Sequence, residues 1–398
     1  MRQDRESDET AIVIKLNPLL WLYIVSFLHG LGVNSSSTVF PVYMRDLGGT
    51  EFLVSLSQAL FFLVRGCFTF FSGVLSDTLG RRQPIILSFL LFSLAHVLYA
   101  LSRTPGSLLA SISVQGIAAG FYWPVVFALI SGYSNSEDSA HNISRFLLAF
   151  GIGGVIGSWL GGKIADSLSP QMTFWSGCTV LSLACLSFSF LVPEAEQPRN
   201  DEKFDFRHIL QVPPKVRRIA LLAAAATVVW AVLTVGMPLR LRDLGASYSF
   251  IGGTRAVSQG INFGIVALAP FIIGRLGFQF VLPSYLLLCG LLMIGVKISS
   301  GLLTTAALFS LFWGSAGMDG VGWTALVEKT APTGKVGTSM GILRGLRDFF
   351  SLGYLLIFGF VAQHWNMPAA FIFVAVVLIG LSVTIGSYLK SQLASQTS

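Results

Sequence analysis

The sequence predicts an all-α membrane protein of about twelve transmembrane helices in two pseudo-symmetric six-helix halves, and three observations carry that fold class. Of 398 residues, 53% are hydrophobic and 11% charged, with a mean hydropathy of +0.72, a composition outside the soluble range. The apolar residues fall into about twelve runs, each near the roughly 20 residues that a bilayer core requires of a helix. A segment of the first half also recurs in the second. Pro41-Val-Tyr-Met-Arg-Asp-Leu-Gly48 returns as Pro238-Leu-Arg-Leu-Arg-Asp-Leu-Gly245 at an offset of 197, and the same offset lays Leu79-Gly80 on Leu276-Gly277. Parallel repeats of this kind place a ligand site between the halves near the midplane. Taken locally, each R-D-L-G is a helix cap and turn.

In chain order the spans are predicted over residues 18–44, 52–75, 84–101, 105–131, 142–165, 170–192, 218–241, 249–273, 280–300, 302–327, 338–361 and 368–389. The first run is too long for a removed signal peptide and no cleavage site follows it, so it reads as a spanning helix. On the second, Gln58, Arg65, Thr69, Ser72 and Ser76 recur at helical spacing as a polar stripe that should not face lipid. Glycine and charge then crowd into the turn between the second and third spans. In the fourth, Phe121-Tyr122-Trp123-Pro124 combines a kink with aromatic surface, serving either packing or a cavity wall. The fifth carries Gly153, Gly157, Gly161 and Gly162, small residues that admit close helix contact.

The polar interruption from Pro193 to Arg218 divides the chain into an N-terminal half (1–192), a cytoplasmic linker (193–217) and a C-terminal half (218–398). With both termini in the cytoplasm, basic residues concentrate on the cytoplasmic side, as the positive-inside rule requires, and the net charge of +7 is explained without nucleic acid. The four cysteines lie in apolar runs without C-x-x-C spacing, which predicts buried thiols and neither disulfide nor zinc. The five histidines are scattered, so no metal centre, cofactor or enzymatic site is predicted.

Ionisable residues at membrane depth each cost at least about 2.5 to 3.5 kcal/mol unless they meet water or a partner, which makes them site candidates. They are Arg65, Arg255, Asp319, Arg344, Arg347 and Asp348, with Lys297 able to snorkel. Arg344 and Asp348 form an i,i+4 pair on the eleventh span. Asp319 lies about 12 Å from the cytoplasmic end of the tenth, at the depth of Arg344 and Arg347, so a contact with one of them is expected. Arg65 and Arg255 have no acidic partner within a turn, which favours them as ligands. The cationic surplus leans toward an anionic solute, and structural ion pairing is the competing explanation for the remaining charges.

Between the second and third spans the residues Gly73, Asp77, Gly80, Arg81 and Arg82 spell G-x-x-x-D-x-x-G-R-R. This resembles the signature loop of the major facilitator superfamily, a resemblance that twelve helices, a central linker and the half repeat extend over nearly the whole chain. It implies a cytoplasmic gate at those five residues. Asp77 would latch onto the start of the eleventh helix at Gly337-Thr338-Ser339, and Arg81 would reach Glu137 or Asp138; the alternative is a topological anchor. The fifth-span glycines resemble the exporter motif G-x-x-x-G-P-x-x-G-G, with Ser158 in place of proline. Ile112 stands where the similar fourth-span segment carries a proton-coupling arginine, before Gln115-Gly116.

Asn34, Tyr122, Trp123 and Trp230 lie on helices that line the family's cavity. The resemblance therefore implies a secondary transporter, at the plasma membrane, moving a small organic solute by alternating access, with efflux as the direction; the buried carboxylates Asp319 and Asp348 are the residues through which protons could couple to it. It implies a monomer in the lipid bilayer without nucleic-acid partners. Uptake of an organic anion and a transport-inactive receptor or scaffold are the alternatives.

Overall fold

The computed structural model describes residues 17–134, 138–193, 212–332 and 336–397, with side chains for all but residues 70, 73–75, 77–79, 140, 336–337 and 392–397. Among them are twelve helices and no strand: α1 Pro18–Asp46, α2 Glu51–Leu79, α3 Arg82–Leu101, α4 Pro105–Gly132, α5 Ser139–Ser167, α6 Pro170–Leu191, α7 Pro214–Asp243, α8 Tyr248–Leu276, α9 Phe278–Ile298, α10 Leu302–Ser315 continued by Gly317–Thr330, α11 Val336–His364 and α12 Met367–Thr397. Eleven of these are long and apolar enough to cross a membrane. The remaining one, α10, is interrupted at Ala316. The protein is a multi-pass integral membrane protein of the predicted fold class.

Local chemistry sets the helix starts. Proline opens α1, α4, α6 and α7 at the position where a missing N–H costs nothing. Side-chain oxygens of Thr50, Ser169 and Ser247 accept from the amides of Leu53, Met172 and Phe250 at 3.2–3.3 Å. Thr50 and Ser247 stand one repeat apart, and the turns before them match atom for atom: Gly49 N donates to Met44 O at 3.0 Å, and Ala246 N to Leu241 O at 2.9 Å. The positive-φ residues among those described are Gly48 and Gly245 (φ 92° and 85°) and Gly80 and Gly277 (φ 83° and 77°), two pairs at the repeat offset. Each terminates a helix in a conformation that side chains disfavour.

Two helices depart from the smooth spans expected. In α7 a 3₁₀ turn at Ala226–Val228 and a π turn at Val232–Gly236 precede Pro238. Pro238 has no N–H to return to the carbonyl of Thr234, so the helix widens just before it. In α10, Gly314 and Gly317 flank the break, and Ser315 Oγ takes up the carbonyls of Leu311 (2.6 Å) and Phe312 (3.1 Å). Helix α7 also begins at Pro214, four residues before the predicted span.

The glycines of α5 serve packing. Cβ atoms added at Gly153, Gly157 and Gly161 would lie 2.1–2.4 Å from the carbonyl oxygens of Phe27, Leu31 and Ser35, so α5 lies backbone to backbone on α1. Gly162 and Gly252 bring α5 equally close to α8, across the halves.

Candidate transport site and gate

The two R-D-L-G turns meet at one end of the bundle, called here the clasp end. Arg45 donates to Asp243 at 2.5 Å, and Arg242 to Asp46 at 3.2 Å. Because Arg45 corresponds to Arg242 and Asp46 to Asp243 under the repeat, this is one contact made twice, reciprocally, between the halves. Asp46 also accepts the Tyr248 hydroxyl at 2.7 Å, and Asp166 of α5 accepts the first amides of α8, Tyr248 N at 3.0 Å and Ser249 N at 2.7 Å. A carboxylate there satisfies free N–H groups and meets the positive end of the helix dipole. The duplicated motif signalled this clasp, but the predicted site did not include it.

Deeper in the bundle, α2 and α11 are joined by an ion pair between Arg65 and Asp348, with the Arg65 guanidinium 4.6 Å from the Phe62 ring centroid. This corrects two expectations. Arg65 has an acidic partner, supplied by the opposite half, and Asp348 is not paired with Arg344. Arg344 is exposed and lies 5.7 Å from the ring centroid of Phe127 on α4. Arg347 pairs with Asp319, one of the two contacts anticipated. Asp319 is 4% exposed, and its other oxygen accepts from Tyr285 at 2.8 Å, whose hydroxyl in turn accepts from Trp323 Nε1 at 3.0 Å. The α10 break places Asp319 in the first turn of a new helix, where a carboxylate is favoured.

The cavity candidates separate. Tyr122 is wholly buried within the N-terminal half, in ring contact with His29, Phe89 and Phe92, so it belongs to that half's core and not to a wall between halves. Trp123, half-buried, packs on Phe150 and Phe127. Trp230 faces across the halves, with ring centroids 6.4 Å from Phe62 and 5.2 Å from Trp313. Asn34 donates to Gly30 O at 2.9 Å and sits over Gly154 beside Gln259. Arg255 is 8% exposed and in no ion pair among the described residues. Lys297 is exposed.

The sequence profile of the Major Facilitator Superfamily matches residues 22–352. The chain belongs to that superfamily. It is 30% identical over 188 residues to the quinolone resistance protein NorA of Staphylococcus aureus (strain MRSA252), an alignment covering 47% of each chain. The chain thus spans about half the length of this relative. Among solved structures it is similar to the nucleoside transporter NupG (TM-score 0.76, 16% identity, 95% of this chain and 99% of that one). It is also similar to a POT family transporter in complex with 5-aminolevulinic acid (TM-score 0.77, 11% identity, 92% and 95%). At these identities the structural likeness shows the fold.

In the superfamily's signature loop, the turn at Gly80 has the positive φ anticipated. Arg81 donates to Ala128 O at 2.7 Å, and Arg82 donates to the carbonyl of Ser189. The side chain of Asp77, the side-chain positions of residues 73 and 337, and Glu137 lie outside the described residues, and the expected latch of Asp77 onto Gly337-Thr338-Ser339 lies outside them too.

Proposed function

We propose that this superfamily member is a secondary transporter that carries a small organic solute out of the cell by alternating access, the two halves (1–192 and 218–398, joined by the 193–217 linker) rocking about a site between them. The observation that carries the reading is the reciprocal Arg45–Asp243 and Arg242–Asp46 clasp, because a contact made by repeat-related residues closes one end of the bundle without committing the other. Efflux follows from the likeness to a drug-resistance protein over half the chain. Orientation follows from the basic residues. The clasp end faces outward, while the termini, the linker and the signature loop face the cytoplasm at the plasma membrane. Asp319 is the candidate proton carrier, since its protonation would release Arg347 inside the C-terminal half.

Counterflow of labelled organic solutes into proteoliposomes tests this. Saturable exchange of at least one solute, abolished by cross-linking cysteines placed at positions 45 and 243, is the expected result. Absence of exchange for every solute of a broad panel, with ligand binding retained, would instead make the protein a receptor.

A further inference from the structure

The mid-membrane cations fall into three groups among the described residues. Arg65 and Arg347 are neutralised by Asp348 and Asp319. Arg344 and Lys297 are exposed. Arg255 is neither: it is buried, its Nε has no hydrogen-bond partner, and no hydrogen bond or ion pair among the described residues includes it. A guanidinium so placed is held at a cost of several kcal/mol unless water or an anion joins it.

Helix geometry says where it points. At about 100° per residue, the α8 positions that touch α5 lie on one face: Gly252 against Ser158 and Gly162, Gln259 beside Gly154, Phe263 against Gly151. The positions that touch α10 lie on another: Ser258 bonds Ser310 at 3.1 Å, Asn262 donates to Trp313 O at 2.7 Å, and Ile261 packs on Gly314. Arg255 falls between these faces, and α1 and the end of α7 also pack on α8. One turn further on, Gln259 Oε1 is buried without a partner, and so is Trp313 Nε1, whose ring meets Trp230 edge to face at 5.2 Å. Arg255 Nε, Gln259 Oε1 and Trp313 Nε1 lie on the adjoining helices α8 and α10, and each lacks the partner that a buried polar atom ordinarily has.

We propose that Arg255 receives the carboxylate of an aromatic organic acid, with the Trp230–Trp313 pair against its ring and Gln259 accepting a hydrogen bond from a ring hydroxyl or amine. The class follows from the donors present. A buried guanidinium pairs bidentately with a planar carboxylate, the indole rings offer apolar surface with a free N–H, and the lone amide oxygen requires an N–H or O–H on the ligand. This assignment rests on the transporter reading and names the solute of that site.

The test uses the purified full-length protein in detergent, titrated with matched pairs such as 4-hydroxybenzoate and 4-hydroxybenzamide, alongside further aromatic acids and their amides. Acids that bind the unmodified protein at least tenfold more tightly than their amides support the proposal, as does a tenfold or greater loss in Arg255→Gln that Arg255→Lys restores in part, the charge being kept and the two-pronged geometry lost. Amides that bind as tightly as acids, or acids that bind Arg255→Gln unchanged, overturn it. The acid-to-amide comparison needs no variant, so misfolding of Arg255→Gln leaves the test intact. Counterflow separates the two claims. Exchange of uncharged solutes at equal rates by the unmodified protein and Arg255→Gln, with no acid exchanged by either, keeps the transporter and discards the acid site. Acid binding that depends on Arg255 without exchange of any solute keeps the site and discards the transporter.

Discussion

Asp319 gives one carboxylate oxygen to Tyr285 and the other to Arg347, while 4% of its surface remains exposed. Removing one charge from such a pair strands the other, at a cost of about 3–5 kcal/mol, whereas replacing both by apolar side chains is far milder. Asp319→Leu should therefore lower the thermal midpoint sharply, and Asp319→Leu with Arg347→Leu should recover most of the loss. Intrinsic-fluorescence melts of the detergent-solubilised protein check this, and equal midpoints for the single and double variants would refute it. The pair was legible because depth along a helix can be counted from sequence. The Arg65–Asp348 pair was not, since sequence carries no register between halves, and the i,i+4 rule favoured Arg344. A partner from α2 prevailed over the weak pairing available within α11, leaving Arg344 on Phe127.

Helix α5 works as a two-sided spacer, one glycine face on α1 and the other on α8. Its stripe was legible as small residues four apart, but which helices it meets was not. An added Cβ at Gly157 would sit 2.3 Å from the Leu31 carbonyl oxygen, while nothing lies within 4 Å of one at Gly274. Gly157→Leu should destabilise the protein by about 1–3 kcal/mol or more through overpacking, and Gly274→Ala should leave it unchanged or slightly firmer. Comparable melting points for the two variants would contradict the packing assignment. The wide turn of α7 and the break in α10 escaped the sequence reading because hydropathy is blind to hydrogen-bond register. In the sequence Pro238 stands out only as part of the repeat, and Gly314-Ser315-Ala316-Gly317 sits within a long apolar run.

For the molecule as a whole, duplication accounts for most of what was legible: the offset of 197 that matches two sequence segments also matches both pairs of positive-φ glycines and the caps at Thr50 and Ser247. The clasp turns that symmetry into a switch. Its ion pairs have side chains 24–39% exposed, and partly exposed pairs contribute about 0.2–1 kcal/mol each. Together the two pairs therefore bias the closed state by about thirtyfold or less and leave it able to open. Spin-label distances read the central claim directly in a cysteine-free background, with one pair at Arg103 and Ser300 on the clasp end and another at His141 and Lys329 on the opposite end. Asp46→Asn with Asp243→Asn should lengthen the first distance and shorten the second, as expected of halves rocking about a shared centre. If the clasp end stays closed, or both ends widen together, the alternating-access account is wrong.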